Sequence, residues 1–302
     1  MQTNLFKLDN IETTVQPASQ SSYQSYKRLY CEAEWSSTLQ LYRYLDNRDH
    51  TERLSQLTGC RTHAWFARHQ ETGEVQVFSN NCRLRWCPLC SQAHRNYITH
   101  SVSSWLEHAR YPKFMTLTLK HSDAPLAHQI DHLYDSFKRL RKRSLLKNAV
   151  AGGIWFFQIK QSRKNGQWHP HLHCVLSGRY LDRYALKNLW KKLTRTSNQV
   201  DIQLISDPEK TAKEVARYAS RPAYLSKHEF AEAVELADTL HGRRLCGTWG
   251  TANQVSLKPP KVTEKGDWVS VGTWFTVTHL SESSQDAKDI IEAWTLRHPL
   301  KC

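Results

Sequence analysis

Trp168-His169-Pro170-His171-Leu172-His173-Cys174-Val175-Leu176 is the stretch on which the fold turns. Side chains alternate faces along a strand, so His169, His171 and His173 project to one side. Leu172 and Cys174 point the other way, into a core. Imidazoles in a row on a rigid strand make a platform for a metal ion. The same pattern also fits a polar strand face that is merely rich in histidine, and the flanking segments decide between the two.

Asn165-Gly166, inside the basic turn Gln161–Gln167, is a hairpin signal. It makes Ile154–Lys160 a buried strand antiparallel to His169–Leu176, with Gly152-Gly153 breaking the helical stretch that precedes it. Further upstream, Phe114–Leu119 reads as a core strand without acid or base, one that positions the histidine strand. Ala127–Lys147 is an amphipathic helix: Ile130, Leu133, Phe137 and Leu140 form its apolar stripe, and Lys138–Arg143 its basic end. Downstream come a helix over Leu181–Thr194, a strand over Val200–Ile205 and a helix over Pro208–Ser220, with proline at its start. This order predicts an α+β fold, a central antiparallel sheet with helices on one face.

The chain has 302 residues with 42 Lys and Arg against 28 Asp and Glu, a formal charge of +14. Such an excess implies a polyanionic partner. No apolar run reaches the roughly 20 residues of a membrane span, and no signal peptide pattern opens the chain. Nucleic acid and a cytoplasmic location are therefore expected, with no membrane partner. The 11 Trp and 12 Tyr interleave with the cations, which suits stacking on unpaired bases.

In a reducing compartment clustered cysteines read as metal ligands. Cys82, Cys87 and Cys90, with a tight Cys87-Pro88-Leu89-Cys90 turn, join Cys60 as a structural Zn²⁺ site, with His63 or His94 as replacement ligands. Arg83, Arg85 and Arg95 around them suit phosphate contacts. Cys174 reads as core; Cys31, Cys246 and Cys302 carry no pattern. The domain expectation is a flexible tail over 1–27, a helical and zinc-binding module over 28–110, a catalytic domain over 111–250 and a C-terminal extension over 251–302. Within these, a helix runs over Leu29–Leu57, a hairpin lies near Thr72–Phe78, and a helix near His94–Arg110. An acidic helix covers 228–241, a late strand or hairpin Asp267–His279, and a last helix Ser284–Arg297.

Three segments stand in a telling order: Phe114-Met115-Thr116-Leu117-Thr118-Leu119, then the histidine strand, then Glu214-Val215-Ala216-Arg217-Tyr218. Together they resemble the rolling-circle replication initiators of small bacterial plasmids, within the HUH endonuclease superfamily. The match spans roughly residues 80–250. The resemblance implies a sheet carrying the histidines and a catalytic Mn²⁺ or Mg²⁺. Its ligands would be His171 and His173, with His169 as ligand or support. The family often has a carboxylate on the neighbouring strand where this chain has Gln158, so the third ligand stays open. Two imidazoles plus an oxygen donor suit such a cation.

A phenol with a free pKa near 10 needs help to act as a nucleophile. Tyr218 has Glu214 one helical turn before it and Arg221, often Lys in the family, just after it. Tyr224 in Tyr224-Leu225-Ser226-Lys227 is the alternative nucleophile, although Pro222 should end the helix before it. The resemblance implies that Tyr218 attacks DNA while Glu214 activates water in the terminating step, so the first nick should not need Glu214. The implied function is tyrosine-mediated nicking and joining of plasmid origin DNA, single-stranded or in an extruded hairpin, through a 5′-phosphotyrosyl intermediate. The free 3′-OH would then serve a host polymerase, working with a host helicase. A transposase of the same superfamily and a non-catalytic zinc-containing DNA-binding regulator are the competing readings.

Overall fold

The computed structural model describes residues 20–120, 122–162, 166–220, 223–258, 267–296 and 300. The elements in chain order are α1 (Gln20–Asp49), α2 (Arg53–Thr58), β1 (Ala64–His69), β2 (Val75–Ser79), α3 (Pro88–Glu107), β3 (Lys113–Thr118), α4 (Leu126–Arg141) and α5 (Ser144–Ala149). They continue with β4 (Val150–Gln161), β5 (Trp168–Gly178), α6 (Arg183–Thr194), β6 (Val200–Leu204), α7 (Pro208–Ser220), α8 (Phe230–Leu240), β7 (Cys246–Gly250), β8 (Trp268–Thr273), α9 (Trp274–Leu280) and α10 (Gln285–Leu296). None of the described helices is long and apolar enough to cross a membrane.

Two compact units emerge, Met1–Cys90 with Pro260–Cys302, and Ser91–Pro259. The boundaries differ from those expected at 110 and 250. In the first unit, β8 pairs antiparallel with β1 to complete the three-stranded sheet β2-β1-β8. Phe66 of β1 sits in a core with Val271, Val277, Ala287 and Ile290, and its ring stacks on Trp274 at 5.3 Å. The segment 268–296 is thus part of the N-terminal core rather than an extension, because β1 alone cannot bury Phe66. Asp267–His279 forms one strand and then α9, not a hairpin; the Thr273 side chain accepts from Thr276 N and caps the helix.

The helix expected over Leu29–Leu57 is two helices. His50 adopts positive φ (52°), and the Asp46 carboxylate accepts from the backbone N–H groups of Arg53 and Leu54 at 3.0 and 2.7 Å, which caps α2. Of the expected tail, residues 20–27 belong to α1 and the rest lies outside the described residues.

In the second unit five antiparallel strands run in the order β6-β3-β5-β4-β7. The hairpin from β4 to β5 is as expected, although 163–165 at its tip lie outside the described residues. The helical stretch ends at Ala149, before the glycine pair expected to break it, and Gly152 and Gly153 lie inside β4. A Cβ on Gly153 would come within 2.6 Å of the Trp249 ring, so the glycines mark a close approach by β7. The helix expected over Ala127–Lys147 divides into α4 and α5 because Arg143 turns extended (ψ 144°), which buries Leu146.

The α+β class stands, and helices cover both faces of the sheet rather than one. On one face Tyr134 of α4 packs edge-on against Trp155 and Phe157. These two pair with Cys174 and Leu172, the core side of the histidine strand. On the histidine face, Ala212, Val215 and Ala216 of α7 pack with Ile154, Phe156 and Val175. A helix on that face is what delivers a side chain to the histidines.

Candidate functional site

The pairing of β3, β5 and β4 is the scaffold of the site. Thr116 stands opposite His173 and Thr118 opposite His171, while Gln158 of β4 pairs with His171 from the other side. Side chains directly opposite in an antiparallel pair share a face. The hydroxyl of Thr118 lies 2.9 Å from His171 Nδ1, and that of Thr116 lies 3.2 Å from His173 Nδ1. When Nδ1–H donates to its threonine, Nε2 keeps its lone pair for a ligand.

Sequence reasoning treated Phe114–Leu119 as structural and missed these threonines. The signal was present: threonine and histidine both recur with period two, in strands expected to neighbour one another.

His173 Nε2–H donates to Gln158 Oε1 at 2.9 Å while Nδ1 accepts from the Thr116 hydroxyl, and a cation between Nε2 and Oε1 would take the place of that proton. Two donors at right angles, each about 2.1 Å from an octahedral cation, stand about 3.0 Å apart. The residues therefore fit a divalent ion held by an imidazole and an amide oxygen. Among the described residues no third His, Cys, Asp or Glu atom converges on His171 and His173. Gln158 Oε1 is the oxygen that reaches His173 Nε2. His169 stacks beside His171 with ring centroids 6.2 Å apart. Burial, with Lys160 nearby, holds the pKa of His171 down to about 4 and that of His173 to about 3. Both rings are therefore neutral near pH 7, the state that binds metal.

Helix α7 brings the phenol. The Tyr218 ring stacks on His173 at 4.3 Å between centroids, and its hydroxyl donates to Glu214 Oε1 at 2.8 Å. The i, i+4 spacing on α7 makes that bond. Burial raises the Tyr218 pKa, and the Glu214 carboxylate raises it further. The Arg217 guanidinium, 6.0 Å from the ring centroid, works the other way. Arg221 lies outside the described residues. Tyr224 sits beyond α7, 42 % exposed, with Lys227 over its ring at 5.1 Å. The structure thus brings Tyr218, Glu214, His171, His173 and Gln158 together.

The second cluster lies in the first unit. Cys60 follows α2, Cys82 follows β2, Cys87 precedes α3, and Cys90 lies in the first turn of α3. Their sulfurs approach at 3.6 Å (Cys60–Cys90), 3.7 Å (Cys82–Cys90) and 3.7 Å (Cys87–Cys60), all four within 4.8 Å of one another. Tetrahedral zinc with bonds of about 2.3 Å requires sulfurs about 3.8 Å apart, whereas a disulfide needs about 2.05 Å. The geometry fits a Cys₄ zinc site.

Hydrogen bonds from Cys82, Cys87 and Cys90 push the Cys60 thiol down, while the same crowding, with burial, pushes Cys87 up. A cation would relieve that conflict by stabilising all four thiolates. Of the two replacement ligands, His94 bonds through Nε2 to the Leu257 carbonyl at 2.8 Å, and His63 bonds through Nδ1 to Thr62. Neither replaces a cysteine.

Three comparisons bear on the origin of this arrangement. The model of a family described as "Replication protein" matches residues 74–299. A protein called "Protein rep" from Bacillus amyloliquefaciens is 24% identical over 244 residues, covering 68% of this chain and 71% of its own length. A second, from Streptococcus pneumoniae serotype 2, is 24% identical over 250 residues, covering 74% and 76%. A third, from Bacillus sp, is 23% identical over 216 residues, covering 65% and 70%. No solved structure gives a significant match.

Proposed function

The chain belongs to the replication protein family, and from that premise we propose that this plasmid replication initiator nicks and rejoins its origin DNA through Tyr218. One observation carries the reading: a single phenol is stacked on His173 and hydrogen-bonded to Glu214. Nucleophile, proton acceptor and phosphate-facing platform occupy one spot.

In the nicking step the Tyr218 oxygen bonds to the scissile phosphorus as its proton passes to Glu214. The 3′ oxygen leaves and takes a proton from water. A 5′-phosphotyrosyl bond forms, and the free 3′-OH is what a host polymerase extends behind a host helicase. Rejoining runs the same transfer backwards from an incoming 3′-OH, and hydrolysis would use water activated by Glu214. A Mn²⁺ or Mg²⁺ ion on His171, His173 and Gln158 would supply charge stabilisation at the phosphate oxygens. Family membership favours the plasmid initiator over the transposase.

The bond between Glu214 and the phenol supports a role in the first nick, against the expectation from sequence that this step does not need Glu214. Glu214→Gln is expected to slow the first nick by about 10²–10⁴-fold, not only termination, because the phenol loses its proton acceptor. Single-turnover cleavage of a supercoiled origin plasmid measures this. A first nick at the wild-type rate would confine Glu214 to the hydrolytic step.

Thr118→Val is expected to weaken Mn²⁺ binding about 10–100-fold while leaving the thermal midpoint nearly unchanged, and Thr118→Ser is expected to restore it. The valine keeps the volume but cannot hold His171 Nδ1. His171→Ala should lose the ion and metal-dependent cleavage together, yet keep salt-sensitive DNA binding. Electron paramagnetic resonance of free Mn²⁺ during titration reads each affinity. Equal affinities in Thr118→Val and wild type would remove the threonine from the site.

A further inference from the structure

Beside the histidine row, at the β6 edge of the sheet, lies a cleft of about 340 Å³. Its walls include Thr116 and Thr118, the threonines bonded to the histidines. On the far side stand Arg183 and Lys187 of α6, with Asn198 and Asp201 from the segment that becomes β6. Arg183 and Lys187 are one helical turn apart and so share a face of α6. Arg183 Nη2 lies 3.4 Å from Asp201 Oδ1, and both side chains are about half exposed. A guanidinium carries five N–H donors, so this contact steadies its plane and leaves donors for another acceptor. Among the described residues no ion pair engages Lys187.

A second observation comes from the same stretch. Tyr180 and Tyr184, either side of Arg183 in sequence, are 80 % and 76 % exposed. Cations that track a backbone, interleaved with exposed rings, are how proteins hold unpaired nucleic acid.

We propose that this cleft is the path of the single strand next to the scissile phosphate. Arg183 and Lys187 hold backbone phosphates, an unstacked base lies on Tyr184, and the Asn198 amide and Asp201 carboxylate face a base edge. The inference deepens the proposed function, since it rests on single-stranded DNA as the substrate. Through the shared threonines, a strand seated here meets the histidine row at the next phosphate.

The test is fluorescence anisotropy of labelled (dT)16 on the full chain with chelator present, so that neither metal nor nicking enters. Arg183→Ala/Lys187→Ala is compared with Lys147→Ala/Lys192→Ala, which removes the same charge from exposed sites outside the cleft. The cleft pair is expected to weaken binding at least about 10-fold and to lower the salt slope by about 1.4, the value for two phosphates on a single strand.

Tyr184→Ala should cost roughly 5- to 100-fold and Tyr184→Trp little, as stacking requires. Affinity for a labelled duplex should fall no further in the cleft pair than in the control pair. Equal losses on (dT)16 in the two pairs, or Tyr184→Ala at wild-type affinity, would overturn the assignment. Because nicking is not measured, that outcome would leave the role of Tyr218 standing. Conversely, loss of nicking chemistry would not erase a strand bound in the cleft.

Discussion

Tyr218→Phe is expected to abolish the covalent DNA adduct and to reduce origin nicking by about 10⁴-fold or more, as loss of a nucleophile does elsewhere. Only the hydroxyl is removed. The ring keeps its place on His173, 4.3 Å away, and its contacts with Ala212, Val215 and Ala216. The lost bond is the one to Glu214, worth about 1 kcal/mol net, so the thermal midpoint should move by only a few degrees. Origin binding should stay near wild type. Tyr224→Phe should still form the adduct, because that ring stands beyond α7 rather than on the histidines. Denaturing gels of protein incubated with labelled single-stranded origin DNA report the adduct directly. An active Tyr218→Phe beside an inactive Tyr224→Phe would move the nucleophile to Tyr224. No adduct from wild type under any divalent metal would favour the non-catalytic regulator.

We propose that Cys60, Cys82, Cys87 and Cys90 hold a structural zinc, and its removal is expected to have the largest effect on stability. Structural zinc contributes about 10–16 kcal/mol to the folding of small domains. Cys60, Cys82, Cys87 and Cys90 bring together the loops after α2 and β2 and the start of α3. Purified protein should carry about one zinc per chain after dialysis, measured by plasma mass spectrometry. Cys87→Ser should lose it, since the Cys87 side chain is fully buried and an alcohol is a poor zinc ligand. The Trp274–Phe66–Trp294 packing should then loosen, visible as a lost near-ultraviolet dichroism signal. A folded, zinc-free wild-type sample with an unchanged melting midpoint would exclude the site.

Local patterns carried much of this protein. Alternation along 168–176 set the faces of β5, Asn165-Gly166 announced the β4–β5 hairpin, and Pro208 marked the start of α7. The spacing of Glu214 and Tyr218 already made them neighbours, because one helical turn fixes that distance whatever surrounds it. Cys87-Pro88-Leu89-Cys90 likewise brought two thiols together by local geometry.

Other features depended on residues far apart in the chain. Gly152 and Gly153 read as the break after a helix because glycine disfavours helical backbone; only the Trp249 ring pressing on β4 shows why they lie inside a strand. Segment 268–296 read as an extension because nothing local says that β8 pairs with β1.

By itself, then, the sequence determined the chemistry available: which side chains alternate onto one face, which lie a turn apart, and how much positive charge the chain carries. Tertiary structure alone decided which of them meet. Thr116 and Thr118 became partners of the histidines through the β3–β5 register, and Gln158 came beside them through the β4–β5 register. Tyr218 rather than Tyr224 came onto His173 because α7 packs its alanine and valine stripe on that face of the sheet. The physical reason is one of range. Helix and strand periodicity follow from bonds between near neighbours, whereas register and layer order follow from burying side chains contributed by distant segments.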